Sequence, residues 1–240
     1  MKSKTLKRTE TFAGALLLTL LLACEPAKQT SAETKDTTPA AAPPAPAAGM
    51  VRYEAQPSGS KCTIAGSSTV HDWTMETALI SGYLVADANF PESALTSPAA
   101  AKPEVKTSMP VKSFKSGKQA MDQKMQDTLS ATNYPKFEYR LIELKPRSKP
   151  GDKGALQFDA IGVLTIVGNT ATNTMPVTIE KVGNKLKVVG STPIKFTEYK
   201  MKPPVIRILG FDAMSVGDDL KINFEWTLAP KAAPAPPPAK

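Results

Sequence analysis

Residues 218–228 read DDLKINFEWTL, and their alternation decides the fold class. Leu220, Ile222, Phe224, Trp226 and Leu228 fall on one face of an extended chain, with Lys221, Asn223, Glu225 and Thr227 on the other. Apolar residues at every second position suit a strand with one buried and one wet face, because successive strand side chains point to opposite sides. A helix would scatter the same five residues around its circumference.

The pattern continues upstream. Residues 155–167, ALQFDAIGVLTIV, put Leu156, Phe158, Ala160, Gly162, Leu164 and Ile166 on one side, and Gly168-Asn169 follows as a turn pair. Residues 174–182, TMPVTIEKV, align Met175, Val177 and Ile179, and Gly183-Asn184 turns the chain into KLKVVG. Turn pairs between alternating runs mark hairpins, so this part is an antiparallel meander. Further strands are expected at 51–56, 61–65, 72–87, 105–114 and 136–145. The last is untidy: Phe137, Tyr139 and Leu141 share a face while Ile142 and Leu144 break onto the other. Residues 90–104, rich in Pro and Ala, read as a loop.

One segment departs from the period of two. In residues 115–135, Met121, Met125 and Leu129 recur at i, i+4 and i+8, one stripe of a short helix. Ser116 with Gln119 resembles a capping box, and Pro135 lies beyond the end. The stripe suits a helix covering an open end of a sheet, or, since methionine adapts to flexible apolar surfaces, a ligand contact. Eight or more antiparallel strands with one short helix imply a mainly β fold, a closed barrel or a sandwich. A barrel of about eight strands is wide enough to hold one small ligand.

The ends of the chain bear on location. MKSKTLKR is a basic segment, and the apolar run FAGALLLTLLLAC behind it is shorter than the ~20 residues a membrane-spanning helix needs. It ends in Leu21-Leu22-Ala23-Cys24, which resembles the lipobox of bacterial lipoproteins, where the cysteine is acylated and becomes the first mature residue. The alternative is an ordinary secretory signal cut near Ala23. Residues 1–23 are thus expected to be a lipoprotein signal peptide. Glu25 after Cys24, rather than Asp, resembles outer-membrane sorting, placing the protein on the periplasmic face of the envelope. Residues 24–50, rich in Ala, Pro and Thr, cannot bury enough surface to offset their ordering entropy and read as a tether. As a coil it spans about 28 Å, and as extended polyproline about 80 Å. Residues 230–240 form a second disordered tail, leaving one domain at 51–229, ample for a single core.

Cysteine count and charge narrow the class. Of the two cysteines, acylation of Cys24 leaves Cys62 without a partner; a Cys24–Cys62 bridge is the rival reading. The formal charge of +8 falls to +5 once residues 1–23, holding four cations and Glu10, are removed. That mild excess suits lysines on wet strand faces or contact with an anionic surface. An exported lipoprotein meets no cytosolic nucleic acid, so none is expected as a partner.

The only histidine, His71, lies beside Asp72 and Trp73. Catalysis by His71 would need a nucleophile and an orienting group converging in space. Ser67, Ser68 and Thr69 are near in sequence, but no nucleophile-elbow motif occurs, and on a strand His71 and Asp72 point apart. No catalytic residue is therefore assigned. With only His71 and Cys62 as imidazole and thiolate, no metal site is expected, and no Cys-x-x-Cys-His attaches haem. His71 is then a structural contact at a barrel end, plugged by Trp73, or a contact to a ligand headgroup.

Five stretches in order, SKCTIAGSSTVHDW, GKQAMDQKMQDTLSATNYPKFEYRL, GVLTIVGNTATNTMPVTIE, FTEYKMKPP and VGDDLKINFEW, resemble YceI-like domains over nearly all of 51–229. The resemblance implies an extracytoplasmic, lipocalin-like antiparallel β-barrel, some members of which bind polyisoprenoids or isoprenoid quinones. Chemistry and resident cofactors are not implied. The leading expectation is a non-catalytic lipid binder whose candidate lining residues are Trp73, Met121, Met125, Leu164, Ile166, Ile179, Phe224 and Trp226. The alternative is a packed barrel without a ligand, an envelope scaffold or adhesion module. Least favoured is a hydrolase using His71.

Overall fold

The computed structural model describes residues 49–98 and 101–231. The expected signal peptide, Cys24 with its acylation, the tether up to residue 48 and the tail from 232 lie outside the described residues.

Strands β1 (Met50–Ser68), β2 (Trp73–Thr77), β3 (Ser81–Asp87), β4 (Glu104–Pro110), β5 (Lys136–Pro146), β6 (Leu156–Ile166), β7 (Asn169–Val182), β8 (Lys185–Lys195), β9 (Val205–Ile208) and β10 (Phe211–Pro230) pair antiparallel throughout. Eight of them, in the order β1-β3-β4-β5-β6-β7-β8-β10, close when β10 pairs back onto β1. Closure removes the exposed sheet edges that would otherwise invite aggregation. Helix α1 (Ser93–Thr96) lies in the β3–β4 connection, and α2 (Gln119–Thr128) in the β4–β5 connection.

Inward-facing alternation holds where it is cleanest. Along β6 every second residue from Leu156 to Ile166 faces the interior, and Ile222, Trp226 and Leu228 are buried on β10. The irregular stretches have local causes. The two strands expected at 51–56 and 61–65 are one strand, β1, interrupted by a bulge between Gln56 and Lys61. Ser60 Oγ donates to Gln56 O at 2.6 Å and accepts from Thr227 N at 3.1 Å, while Thr227 Oγ1 donates to Gly59 O at 2.8 Å, so the bulge is stitched to β10. The single strand expected at 72–87 is two, β2 and β3, because Leu79 N turns aside to donate to Thr77 Oγ1 at 3.0 Å. Both halves still pair with β1. The strand expected at 105–114 stops at Pro110 and passes into a 3-10 turn at Val111–Ser113. The untidy run in β5 is a second bulge: Leu141 opposes Gly162 and Glu143 opposes Ile161, leaving Ile142 as the extra, 54% exposed residue. The bulge returns Leu144 to the interior.

The turn read as Gly168-Asn169 lies one residue earlier, at Val167-Gly168, with φ values of 49° and 71°. Two left-handed residues give the primed turn whose twist matches its flanking strands. The helix α2 forms, but not its expected cap. Its N-cap is Lys118, and Ser116 turns instead to Asp122, donating from N at 2.8 Å and from Oγ at 2.7 Å. Strand β9, its hairpin with β10 and helix α1 carry no clear periodic signal.

One end of the barrel is packed solid. Leu156, Phe158, Leu186 and Leu228 have no exposed surface there, and the α1 connection adds buried Phe90, Ala94 and Leu95. At the opposite end α2, the β1–β2 turn, the 3-10 turn Thr197–Tyr199 and the β9–β10 hairpin gather around the opening.

Candidate functional site

Between these ends the lumen is not filled. An inner chamber of about 100 Å³ lies towards the packed end and an outer one of about 340 Å³ towards the helix-covered end. Cys62, Met109, Leu164 and Ile222 line both and form the waist between them. The outer volume lies within the range of small-molecule sites, about 300–1,000 Å³.

All eight barrel strands contribute to the inner wall. Its lining is apolar apart from Thr107, Tyr139, Asn173, Thr192, Trp226 and the Cys62 thiol, and among the described residues no charged side chain reaches it. Two polar atoms in this wall, Tyr139 Oη and Trp226 Nε1, are buried without a hydrogen-bond partner. Burial raises the Tyr139 phenol above its ordinary value, so it stays protonated. Gly162 makes room for it: a Cβ there would lie 2.2 Å from Tyr139 Oη.

The outer chamber mixes strand residues such as Ile64, Met75 and Ile166 with α2 side chains and with Ile206 and Met214 of the hairpin. Three lysines, Lys118, Lys124 and Lys195, stand around it with the imidazole of His71, and among the described residues no acidic side chain lines the wall. Helix α2 buries none of its side chains completely, because its apolar stripe faces this open volume. Desolvation pushes the Cys62 thiol at the waist up to about 12, and its side chain is wholly buried. Tyr199 is also raised to about 12, chiefly by burial, while its hydroxyl donates to Asn173 Oδ1 at 3.1 Å.

Every lining candidate lies on a chamber wall: Ile179, Phe224 and Trp226 on the inner, Trp73, Met121, Met125 and Ile166 on the outer, Leu164 on both. The sequence reading missed the waist partners Cys62, Met109 and Ile222 and the polar inner residue Tyr139. Ile222 and Tyr139 carry the same alternation signal as their neighbours. The hairpin residues Ile206 and Met214 show no such signal.

His71 is not on a strand, which corrects the face assignment made for it. It lies in the β1–β2 turn, exposed, with Nδ1 3.0 Å from the backbone carbonyl of Asp72. Ser68 Oγ donates to His71 O at 2.7 Å and accepts from His71 N at 3.1 Å, so the nearest hydroxyl bonds the histidine backbone and not its imidazole. Trp73 donates from Nε1 to Ser67 O at 3.2 Å across the same turn. Among the described residues no three His, Cys, Asp or Glu side chains come together as a metal site.

The family model of the YceI-like domain matches residues 53–228. Two solved structures are similar in fold. One is BcnA of Burkholderia cenocepacia, 20% identical with a TM-score of 0.56, covering 72% of this chain and 98% of its own. The other is a polyisoprenoid binding domain from Saccharophagus degradans implicated in plant cell wall breakdown, 13% identical with a TM-score of 0.54, covering 76% of this chain and 99% of its own. No curated protein matches the chain by sequence. The matched span runs over all eight strands of the closed barrel, and the chain belongs to the YceI-like domain family.

Proposed function

We propose that this protein is a non-catalytic lipid binder of the bacterial envelope that sequesters or carries a polyisoprenoid or isoprenoid-quinone chain in its barrel. The observation that carries the reading is the pair of apolar chambers in line, sharing a waist and opening under a half-buried helix. The force would be burial, about 0.8 kcal/mol for each methylene moved out of water, so a long tail needs few polar contacts. A filled lumen, as a packed scaffold barrel would have, is not what the strands enclose. The polyisoprenoid-binding relative of similar fold supports the ligand class.

In this reading acylated Cys24 anchors the chain to the outer membrane, and residues 25–50 let the barrel approach the lipid surface. Native mass spectrometry of the chain from an envelope fraction, with organic extraction of what co-purifies, tests the whole. A stoichiometric prenyl lipid or quinone names the cargo. A bare protein that refuses added prenyl lipid overturns the reading. Loss of a 23-residue segment with a mass gain at Cys24 tests the anchor.

A further inference from the structure

From the hairpin that overhangs the open end we infer that this end docks on a lipid bilayer: Leu209 and Phe211 enter the membrane and set the mouth of the outer chamber against it. The contact stands on the hairpin alone. Its use, a path for lipid between bilayer and chamber, rests on the lipid-binding reading.

Strand β9 pairs with β10 and with no other strand among the described residues. Along β10 the barrel pairings begin at Val216, opposite Ser68, so the stretch from Phe211 to Met214 runs past the rim with β9 as its ladder partner. Leu209 is 93% exposed and Phe211 79%. Next among the large apolar side chains described is Val70, 65% exposed, in the turn whose Thr69 N donates to Ser215 O at 2.9 Å at the foot of the hairpin. The three most exposed large apolar residues thus gather at one end. Leu209 is unfavourable twice over. It is apolar in water, and it holds a φ of 53° in a two-residue turn with Gly210 at 85°, where asparagine or glycine is the ordinary choice. So exposed a side chain has no packing within the protein to offset either cost, whereas immersion in hydrocarbon offsets the first.

The charges at this end permit the contact. Arg207 Nε donates to Asp212 Oδ1 at 2.7 Å, so the charges flanking the tip neutralise each other. Lys115 pairs with Asp122 and Lys195 with Asp219, leaving Lys118, Lys124, Lys200 and Lys202 without an ion-pair partner among the described residues and able to meet lipid phosphates. A protein partner suits the tip less, because it offers a few hundred Å² against about 800 Å² a side in a standard interface. On the chamber side of the same hairpin stand Ile206 and Met214, so it is apolar both at its tip and towards the lumen. The tether allows the reach. Strand β1 starts at Met50, at the packed end, so the segment from Cys24 must pass a 19-residue strand, about 60 Å. Extended, that segment reaches about 80 Å.

The test introduces tryptophan by Phe211→Trp and, as a control in the β7–β8 turn at the packed end, by Val182→Trp. Each chain, taken from an envelope fraction, is placed on phosphatidylethanolamine–phosphatidylglycerol vesicles with brominated acyl chains. Phe211→Trp should add emission that shifts to the blue and is lost to the bromines, and Val182→Trp should add emission that is not. Adding Leu209→Asp to Phe211→Trp should weaken the contact about tenfold or more and restore the emission. Its unfolding midpoint should be unchanged or raised, because aspartate tolerates the left-handed turn. Unquenched emission from Phe211→Trp, or equal quenching of Val182→Trp, overturns the inference. So does a dimer formed without vesicles, seen by sedimentation, that Leu209→Asp dissolves, since the tip then meets a second copy of the chain. A lowered midpoint in Leu209→Asp overturns it by making Leu209 a packing residue. Uptake of farnesol is scored on the same chains. Quenching without uptake removes the lipid-binding reading and keeps the docking, and uptake without quenching removes the docking alone.

Discussion

The inner chamber is walled by all eight barrel strands, whereas the outer chamber borrows much of its wall from segments beyond them: α2, the β9–β10 hairpin and the turn holding His71. In the first, most lining residues are held by ladders on both sides and by a solid end of Leu156, Phe158, Leu186 and Leu228, with Ile80, Phe90 and Pro103 added from connections. In the second, Met121 and Met125 lie half-buried on a ten-residue helix with no fully buried side chain. Elements with few buried apolar contacts open at lower free energy than the core they cover. The comparison teaches that one barrel can pair a stiff, closed end with a yielding entrance.

The largest test of that contrast is a pair of truncations. Phe158→Ala behind the inner chamber should cost about 3–5 kcal/mol in denaturant unfolding, and Met125→Ala under about 1 kcal/mol. Equal costs would erase the distinction between the ends.

Cys62 at the waist reports on both chambers. With its thiol pushed up to about 12 by burial, Cys62 holds far less thiolate at neutral pH than an exposed cysteine does. Alkylation by iodoacetamide, located at Cys62 by peptide mapping, should proceed only through opening of the barrel. Rapid labelling of the native chain would show that solvent passes the waist freely.

Gly162→Ala sharpens the inner side. The added Cβ meets Tyr139 Oη at 2.2 Å, so the ring must move. A loss of about 1–3 kcal/mol is expected, with weaker binding of whatever the inner chamber holds. An unchanged unfolding midpoint would mean that the phenol is not confined.

The smallest effect lies at the entrance. Burial opposes ionisation of Asp122, but the Ser116 hydroxyl and N–H bonds and nearby Lys115 prevail and hold it below its ordinary 3.8. The folded chain therefore binds fewer protons than the unfolded one as the pH falls through this range. The stabilisation is complete above 3.8 and is lost as the pH drops through the depressed value. Ser116→Ala should cost about 1 kcal/mol at neutral pH, with the gap to the parent closing in acid. A gap constant down to pH 2 would assign the loss to packing.

Much of the barrel and part of the site were legible in local pattern. The faces of β6 and β10, the hairpin at Gly183-Asn184 and the methionine stripe each follow from residues adjacent in sequence, because strand and helix periods are properties of the backbone alone. The faces of those elements also placed seven of the eight lining candidates on chamber walls, all but Trp73 at the start of β2. The bulges were visible only as disorder in the pattern: Ile142 reads as an error until its pairing shows it to be the extra residue. The Ser116 cap failed because Asp122, one turn further on, offers a charged acceptor that Gln119 does not.

Sequence alone determined the β class, the antiparallel meander and the inward set of side chains, since these depend on neighbours two to four positions away. Only the tertiary structure decided that eight strands close, that the lumen divides at Cys62, Met109, Leu164 and Ile222, and that Tyr139 and Trp226 share one chamber without partners. Cavity volume and hydrogen-bond satisfaction arise from strand number, stagger and contacts between residues some ninety positions apart. No local period encodes them.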